Sequence, residues 1–174
     1  MTDLRIPAWV DGTLRPSDKL EVHRRGWKHP AVSVFVLVGD ELLIQRRALA
    51  KYHTPGLWAN TCCTHPHWDE DPRTCAIRRL DEELGLQGLA PELAGQVEYR
   101  AEVGNDMTEH ELVDVFVARL DHRPDVSPDP AEVMDTRWVP LKRLATETRD
   151  TPEIFTPWLR IYLADHSDLI FGSA

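Results

Sequence analysis

The chain contains 174 residues, of which 42% are hydrophobic and 28% charged, a composition typical of a folded globular protein and not of a disordered one. Its formal net charge of −9 argues against broad contact with nucleic acid or an anionic membrane, because both partners require a basic face. A small anionic ligand is still allowed where basic residues gather, and the candidates for such a cluster are Arg46, Arg47, Lys51, Arg78 and Arg79.

The length and the even composition along the chain predict a single domain over residues 1–174. No stretch approaches the length of a membrane span, and the first ten residues lack the apolar core of an export signal. We therefore expect a cytoplasmic protein that binds neither membranes nor nucleic acid. The sequence leaves its oligomeric state open between a monomer and a weak homodimer.

The first predicted strands lie in the N-terminal half. Residues 31–38 form a β-branched run that ends at a turn beginning with Gly39, and residues 41–45 form the second strand. Residues 51–60 contain a Thr-Pro-Gly breaker and are predicted as a loop, which leads into an extended segment at residues 61–65.

The clearest predicted helix follows this segment. Asp71 is a good N-cap, and Pro72 suits the first helical position. The next residues, 73–84, carry one apolar stripe that ends before Gly85. The stripe consists of Ala76, Leu80 and Leu84.

The second half of the chain predicts a hairpin, a strand and a final helix. Residues 95–103 and 109–117 form the hairpin, and residues 124–130 are a proline-rich loop. Residues 133–139 form a short strand, and residues 152–165 an amphipathic helix. Since strands and helices do not alternate regularly, we expect an α/β fold of the mixed α+β type, with a mixed β-sheet sandwiched between helices.

Two glutamates in the predicted strand at 109–117 suggest a cation site. Side chains alternate along a strand, so Glu109 and Glu111 share a face with Val113, Val115 and Val117. If the valines are buried, two neighbouring carboxylates lose hydration and repel each other, and a divalent metal ion would offset that cost. The alternative is that both glutamates lie solvated at an exposed strand end.

Cys63 and His65 form a second constellation. In an extended segment they share one face, which is typical of a metal site or of an activated acid and base. His23 and His29 could complete a histidine-rich site with His65 that suits manganese, zinc or iron-like ions. Cys62 and Cys75 are expected to be buried packing residues. The remaining histidines are expected at the surface or at caps: His53, His67, His110, His122 and His166.

The predicted helix also carries two pairs of opposite charge four residues apart. Arg79 and Glu83 share one face, as do Arg78 and Glu82, and both pairs are commonly exposed ion pairs of small energy. The functional alternative is that Glu83 binds magnesium while Arg79 contacts a phosphate.

Part of this helix resembles the end of a Nudix box. The segment is Arg78-Arg-Leu-Asp-Glu-Glu-Leu-Gly-Leu86, and Glu70 lies at the spacing of the first glutamate of the box. Arg79 replaces a further glutamate, and Thr64 replaces the opening glycine. The missing glutamate weakens the case for diphosphate hydrolysis, because hydrolases use the acidic cluster to bind metals around the attacked phosphate.

Three further motifs occur in an order that resembles the type I isopentenyl diphosphate isomerases, a branch of the Nudix superfamily. They are Thr54-Pro-Gly-Leu-Trp-Ala-Asn-Thr-Cys-Cys-Thr-His-Pro66, Glu109-His-Glu111 and Phe155-Thr-Pro-Trp158. The similarity covers about residues 19 to 160, which is most of the chain.

This resemblance implies an enzyme that interconverts isopentenyl and dimethylallyl diphosphate. Cys63 and Glu111 would be the catalytic pair, supported by Tyr99 and Trp158. A divalent metal, Mn²⁺, Mg²⁺ or Zn²⁺, would be bound by His23, His29, His65, Glu109 and Glu111. Glu83 would bind a Mg²⁺ ion that bridges to the substrate, and the substrate diphosphate would contact Lys19, Arg47, Lys51 and Arg79.

Two other functions are compatible with the sequence. One is a Nudix hydrolase of a nucleoside diphosphate derivative, favoured by Glu70, Glu82 and Glu83 and disfavoured by Arg79. The other is a catalytically silent Nudix-like module that binds a diphosphate or a protein partner, against which the set of Cys63, Glu111 and histidines argues.

Overall fold

The computed structural model describes residues 5–173, and its elements follow the chain in a mixed order of strands and helices. They are β1 (Arg5–Val10), β2 (Thr13–Asp18), α1 (Lys19–Arg25), β3 (Lys28–Val38), β4 (Glu41–Arg47), β5 (Trp58–Ala59), β6 (Cys62–Thr64), α2 (Pro72–Leu84), β7 (Glu92–Gly104), β8 (Met107–Leu120), β9 (Val133–Pro140), α3 (Leu141–Asp150), a 3₁₀ turn (Pro152–Ile154), α4 (Pro157–Asp165) and α5 (Ser167–Phe171).

The central sheet is mixed, as the sequence predicts. Its strand order is β5-β4-β3-β8-β7, with β6 also paired to β3 and β9 to β4. The pairing of β3 with β8 is parallel, whereas the other strand pairs described in this sheet are antiparallel. The strands β1 and β2 form a separate hairpin.

Strand β3 divides the core into two halves, one on each face of the sheet. Phe35 and Leu37 belong to a core that also contains residues of α3, α4 and α5, whereas Val34 and Val36 face a core built with α2. Because successive side chains point to opposite faces, a strand buried on both sides reads as a continuous apolar run. The sheet is therefore enclosed between helices, which confirms the predicted fold class.

The hairpin of β7 and β8 is longer than predicted, and a two-residue turn links its strands. Asn105 and Asp106 link the strands with positive φ angles of 53° and 55°. A two-residue hairpin turn of type I′ requires positive φ at both positions, which Asn and Asp tolerate better than most residues.

Helix α2 also begins and ends as predicted. The side chain of Asp71 accepts a hydrogen bond from the backbone N–H of Thr74, and Pro72 occupies the first turn. Gly85 ends the helix in the left-handed conformation, at φ 65°. The stripe of Ala76, Leu80 and Leu84 is buried.

The predicted helix at 152–165 was wrong in its first third. Residues Pro152–Ile154 form a 3₁₀ turn, and Phe155 is extended, in an isolated parallel bridge with Trp58. The reason is Pro157, which disfavours helical geometry at the residue before it, so that Thr156 becomes the N-cap of α4.

Several elements were not predicted at all, namely the β1–β2 hairpin, α1, β5, α3 and α5. Helix α1 matters most for function, because it carries Lys19 and His23. Within residues 5–173, no helix is both long and apolar enough to cross a bilayer.

Candidate active site

A cavity opens at one end of the sheet, where β3, β6 and β8 meet α1 and the loop after β4. The cavity and its mouth contain about 360 Å³ of empty space, part of which is open to solvent. Its lining residues are Lys19, Arg47, Lys51, Tyr52, His53, Cys63, Thr64, His65, Arg79, Glu83, Glu109, Glu111 and Trp158. The structure thus brings most of the sequence-predicted site residues to one place.

A row of three side chains crosses three neighbouring strands. His29 of β3 pairs in register with Glu111 of β8, and Glu111 pairs with Tyr99 of β7. Residues directly opposite each other in a sheet share a face, so the imidazole, the carboxylate and the phenol all point into the same region. Two long-range strand pairings therefore build the centre of the site.

Histidines from three elements meet beside this row. The ring centroid of His23, in α1, lies 4.8 Å from that of His29, in β3, and 5.2 Å from that of His65, which follows β6. The Nδ1 atoms of His23 and His29 lie 2.7 Å and 2.8 Å from the carbonyl oxygens of Lys19 and Trp27, respectively. A nitrogen that donates to a carbonyl carries the proton, which leaves the lone pair of Nε2 directed into the site.

The carboxylates at the site are buried, and Glu109 and Glu111 are only 3% and 2% exposed. The hydroxyl of Tyr99 lies 2.7 Å from an oxygen of each. Burial and both glutamates raise the pKa of Tyr99 well above its usual value, so the phenol keeps its proton. One hydroxyl proton serves one carboxylate at a time, so the pair needs a further positive group.

Most of the imidazoles do not supply that charge. Burial lowers the pKa of His23 to about 4 and holds those of His53 and His65 below the usual value, so these rings are neutral near pH 7. Burial also opposes protonation of His29, but its contact with Glu111 raises the pKa. Neutral imidazoles beside two carboxylates are the protonation states that a divalent cation requires.

Two groups of potential ligands meet these requirements, and both contain His23. The first consists of His23, His29, His65 and Glu111, and the second of His23, His53 and Glu109. Within each group the donor atoms lie within 4.8 Å of one another. The residues present therefore fit a divalent metal ion.

His53 was predicted as a surface or capping residue, and this was wrong. It is 2% exposed, and its ring packs edge-on against Trp158 and Tyr52. The prediction failed because the loop after β4 has no periodic pattern from which burial can be read. Cys62 of β6 and Cys75 of α2, by contrast, are buried in the core between the sheet and α2, as expected.

Cys63 lies opposite Ser33 where β6 pairs with β3, and its Sγ is 2.9 Å from the Ser33 hydroxyl. That hydroxyl is in turn 2.8 Å from the hydroxyl of Tyr162 in α4. Burial, and then the charges of Glu111 and Glu109, raise the pKa of Cys63 well above its usual value. Ser33 and Tyr162 were not predicted from the sequence, because their roles depend on contacts between residues distant in the chain.

The other end of the cavity is cationic. Lys51 and Arg79 both approach Glu132, with nitrogen–oxygen distances of 2.5 Å and 3.5 Å. Glu132 lies in the segment before β9 and was not predicted as a site residue. Lys19 is close by, with its Nζ 4.9 Å from the centre of the Tyr52 ring. Lys19, Lys51 and Arg79 thus gather near the single carboxylate of Glu132, and such a cluster of cations suits a multiply charged anion.

Glu83 and Arg47 also line the cavity. Gln45 and Arg79 donate hydrogen bonds to Glu83 at 2.8 Å and 2.5 Å. The guanidinium of Arg47 lies 5.3 Å from the centre of the Trp158 ring, and Trp158 is 1% exposed. Two other predicted cations point elsewhere, since Arg46 donates to Gly56 and Arg78 to Glu70.

Comparisons with known proteins show which family the chain resembles. A model of the NUDIX domain matches residues 27–159. A protein named Isopentenyl-diphosphate Delta-isomerase from Cereibacter sphaeroides is 61% identical over 172 residues, which cover 99% of this chain and 97% of that protein. A protein of the same name from Dinoroseobacter shibae is 60% identical over 173 residues, which cover 99% of this chain and 98% of that protein.

The fold is also found among solved structures. The MutT protein from Methanosarcina mazei Go1 aligns with a TM-score of 0.63 over 78% of this chain and 90% of that one, at 20% identity. At this identity, the likeness concerns the fold alone.

Proposed function

The chain belongs to the NUDIX family and, within it, to the isopentenyl-diphosphate Delta-isomerases, and from this membership we propose how its cavity carries out the reaction. The enzyme interconverts isopentenyl diphosphate and dimethylallyl diphosphate. The reaction adds a proton to one carbon and removes a proton from another, through a state that resembles a tertiary carbocation.

Cys63 and Glu111 are the proposed acid and base. The support is that both line one buried cavity and differ in their resting protonation. Burial holds the thiol of Cys63 in its protonated form. Burial also raises the pKa of Glu111, but hydrogen bonds from His29 and Tyr99 outweigh that effect, so the pKa is lowered and the carboxylate is charged. Cys63 can thus donate a proton and Glu111 can accept one. In the back reaction the two residues exchange these roles.

The enzyme depends on a divalent metal, and the metal sites are assigned as follows. The histidine and glutamate cluster would hold a Mn²⁺ or Zn²⁺ ion, and Glu83 would hold Mg²⁺ beside the substrate diphosphate. When bound, the first ion neutralises Glu109 and Glu111 and tunes the basicity of Glu111. Tyr99 holds both carboxylates in place through its hydroxyl.

The substrate diphosphate is assigned to the cationic end of the cavity. Lys19, Arg47, Lys51 and Arg79 supply the positive charge there, and the anion replaces Glu132 as partner of Lys51 and Arg79. The five-carbon unit then lies toward Cys63, Glu111 and Trp158.

We also propose that residues 1–174 form a single domain, that the enzyme is cytoplasmic, and that it acts as a monomer or weak homodimer without membrane or nucleic acid partners. Its net charge of −9 supports the last of these proposals.

Incubation of the purified protein with isopentenyl diphosphate and Mg²⁺ in heavy water tests the reaction. We expect NMR to show dimethylallyl diphosphate with deuterium incorporated from the solvent. Release of inorganic phosphate or a monophosphate would instead identify a hydrolase.

Replacement of Trp158 by leucine is expected to lower kcat by about 30-fold, which corresponds to the ~2 kcal/mol of a desolvated cation–π interaction. Because positive charge develops on the carbon skeleton only during the reaction, KM should change much less. Steady-state kinetics of the variant would measure both constants. The matched control is Trp138→Leu, because Trp138 packs on the α2 side of the sheet. A rise in KM of Trp158→Leu as large as its fall in kcat would contradict the assigned role.

The value of kcat/KM is expected to fall as the pH rises through about 8. Burial, together with the charges of Lys51 and Arg79, lowers the pKa of Lys19 to about 8. A lysine is charged below its pKa, so above pH 8 the free enzyme loses one of the cations that attract the diphosphate. Lys19→Arg should remain charged and lose this step, whereas Lys19→Gln should have the lower value at every pH. A step that persists unchanged in both variants belongs to another group.

A further inference from the structure

His53 has the environment of a metal ligand, although its sequence context suggests a surface residue. Its Nε2 lies 3.0 Å from Oε1 of Glu109, yet within residues 5–173 this nitrogen has no hydrogen-bond partner. Its Nδ1 lies 2.9 Å from the hydroxyl of Thr54. The ring is therefore held by its outer nitrogen, while its inner nitrogen and the carboxylate lie side by side without being aligned on each other.

Such spacings match those between neighbouring donors around one metal ion. Donors bound at about 2.1 Å are separated by about 3.0–3.4 Å when they are adjacent in the usual geometries. His53 Nε2 and Glu109 are 3.0 Å apart, and His65 Nε2 and Glu111 are 2.9 Å apart. The Nε2 atoms of His29 and His65 are 3.2 Å apart. The distance between His53 and Glu109 is thus similar to the distances between donors in the other group of potential ligands.

The two groups of potential ligands share His23, and this residue indicates whether they bind one ion or two. Its Nδ1 is taken up by the carbonyl of Lys19, and its Nε2 has only a long contact of 3.5 Å with the hydroxyl of Tyr52. One free lone pair binds one ion, so a second ion would be left with His53 and Glu109 alone. A single ion shared by both groups would use all of these donors, and binding it would draw the two groups, whose donor atoms do not all lie within 4.8 Å of one another, toward one centre.

We propose that His53 is a fourth imidazole ligand of this ion, beside His23, His29, His65, Glu109 and Glu111. The inference rests on the metal centre of the proposed function and enlarges its ligand set. The enlarged set would offer the ion four imidazole nitrogens and the oxygens of two carboxylates. A nitrogen-rich set also favours ions such as Zn²⁺ and Co²⁺ over Mg²⁺.

Titration of the full-length protein with Co²⁺, after removal of metal with a chelator, tests this ligand directly. The wild type is expected to bind one Co²⁺ per chain and to show four exchangeable, paramagnetically shifted imidazole N–H resonances. His53→Gln should bind Co²⁺ about 100-fold more weakly or worse and show three such resonances, because even outer-shell partners contribute about 10–100-fold to affinity. The matched control is His122→Gln, since His122 is exposed and should leave affinity and resonances unchanged.

A second variant keeps the test decisive if His53→Gln does not fold. Thr54→Val retains His53 but removes the partner of its Nδ1, and it should lower Co²⁺ affinity about tenfold with a visible change in the Co²⁺ spectrum. Three resonances in the wild type, or unchanged affinity in both variants, would overturn the role of His53. If His65→Gln loses the ion while His53→Gln keeps it, the metal centre stands and only this inference fails. If the wild type binds no Co²⁺, the metal centre itself is wrong.

Discussion

Replacement of Cys63 by alanine is expected to reduce isomerisation by about 10⁴-fold or more while leaving the fold and the bound metal intact. Proton transfer by a positioned side chain contributes roughly 10²–10⁴-fold, and here the loss of one partner leaves no group on that side of the cavity to replace it. The neighbouring hydroxyl of Ser33 is itself engaged by Tyr162 and has no acidity comparable to a thiol. Turnover is measured by NMR with isopentenyl diphosphate, and metal content by elemental analysis.

Cys75→Ala provides the matched control for this experiment. Cys75 is also a buried thiol, but it lies on α2, packs in the core on that side of the sheet and does not line the cavity. We expect that variant to retain near-normal kcat and to lose only the modest stability of a small core truncation, about 1 kcal/mol. Near-normal turnover of Cys63→Ala would remove that residue from the chemistry.

Local patterns in the sequence predicted the elements whose burial follows a regular period. Strand β3 is buried on both faces and reads as a continuous apolar run, and α2 carries its stripe between a recognisable cap and Gly85. Helix α1 has only seven residues and two buried positions, so no period could be read from it. Its cap is nevertheless regular, since Asp18 accepts a hydrogen bond from the N–H of Glu21.

The candidate site depended on a different kind of information. The alternation along β8 correctly placed Glu109 and Glu111 on the buried face with the valines, and that is a local property. Which residues meet them is set by strand pairing, because only the parallel register of β3 with β8 brings His29 beside Glu111. No residue near either strand encodes that register by itself.

Site residues in irregular segments could not be predicted from the sequence either, because their burial also depends on contacts with distant parts of the chain. His53 and Glu132 both lie in loops, and neither has neighbours with a period that would indicate burial. The ring of His53 packs against the rings of Tyr52 and Trp158, and Glu132 forms ion pairs with Lys51 and Arg79. Their positions follow from the assembled cavity, which only the folded chain reveals.

Glu111→Gln is expected to abolish turnover even when metal is supplied in excess, whereas Glu109→Gln should recover part of its activity under the same conditions. Both substitutions keep the shape of the side chain and remove one buried negative charge, so both should weaken metal binding. Only Glu111 is also assigned the proton transfer, and an amide has no basicity to replace the carboxylate. The two variants should therefore have similar affinities for Co²⁺ but differ by about 10²-fold or more in kcat at saturating metal, within the range of a lost general base. Both kcat values are measured as a function of Mn²⁺ concentration. Equal recovery of the two variants would show that Glu111 acts only as a ligand, and that the proton goes to another group in the cavity.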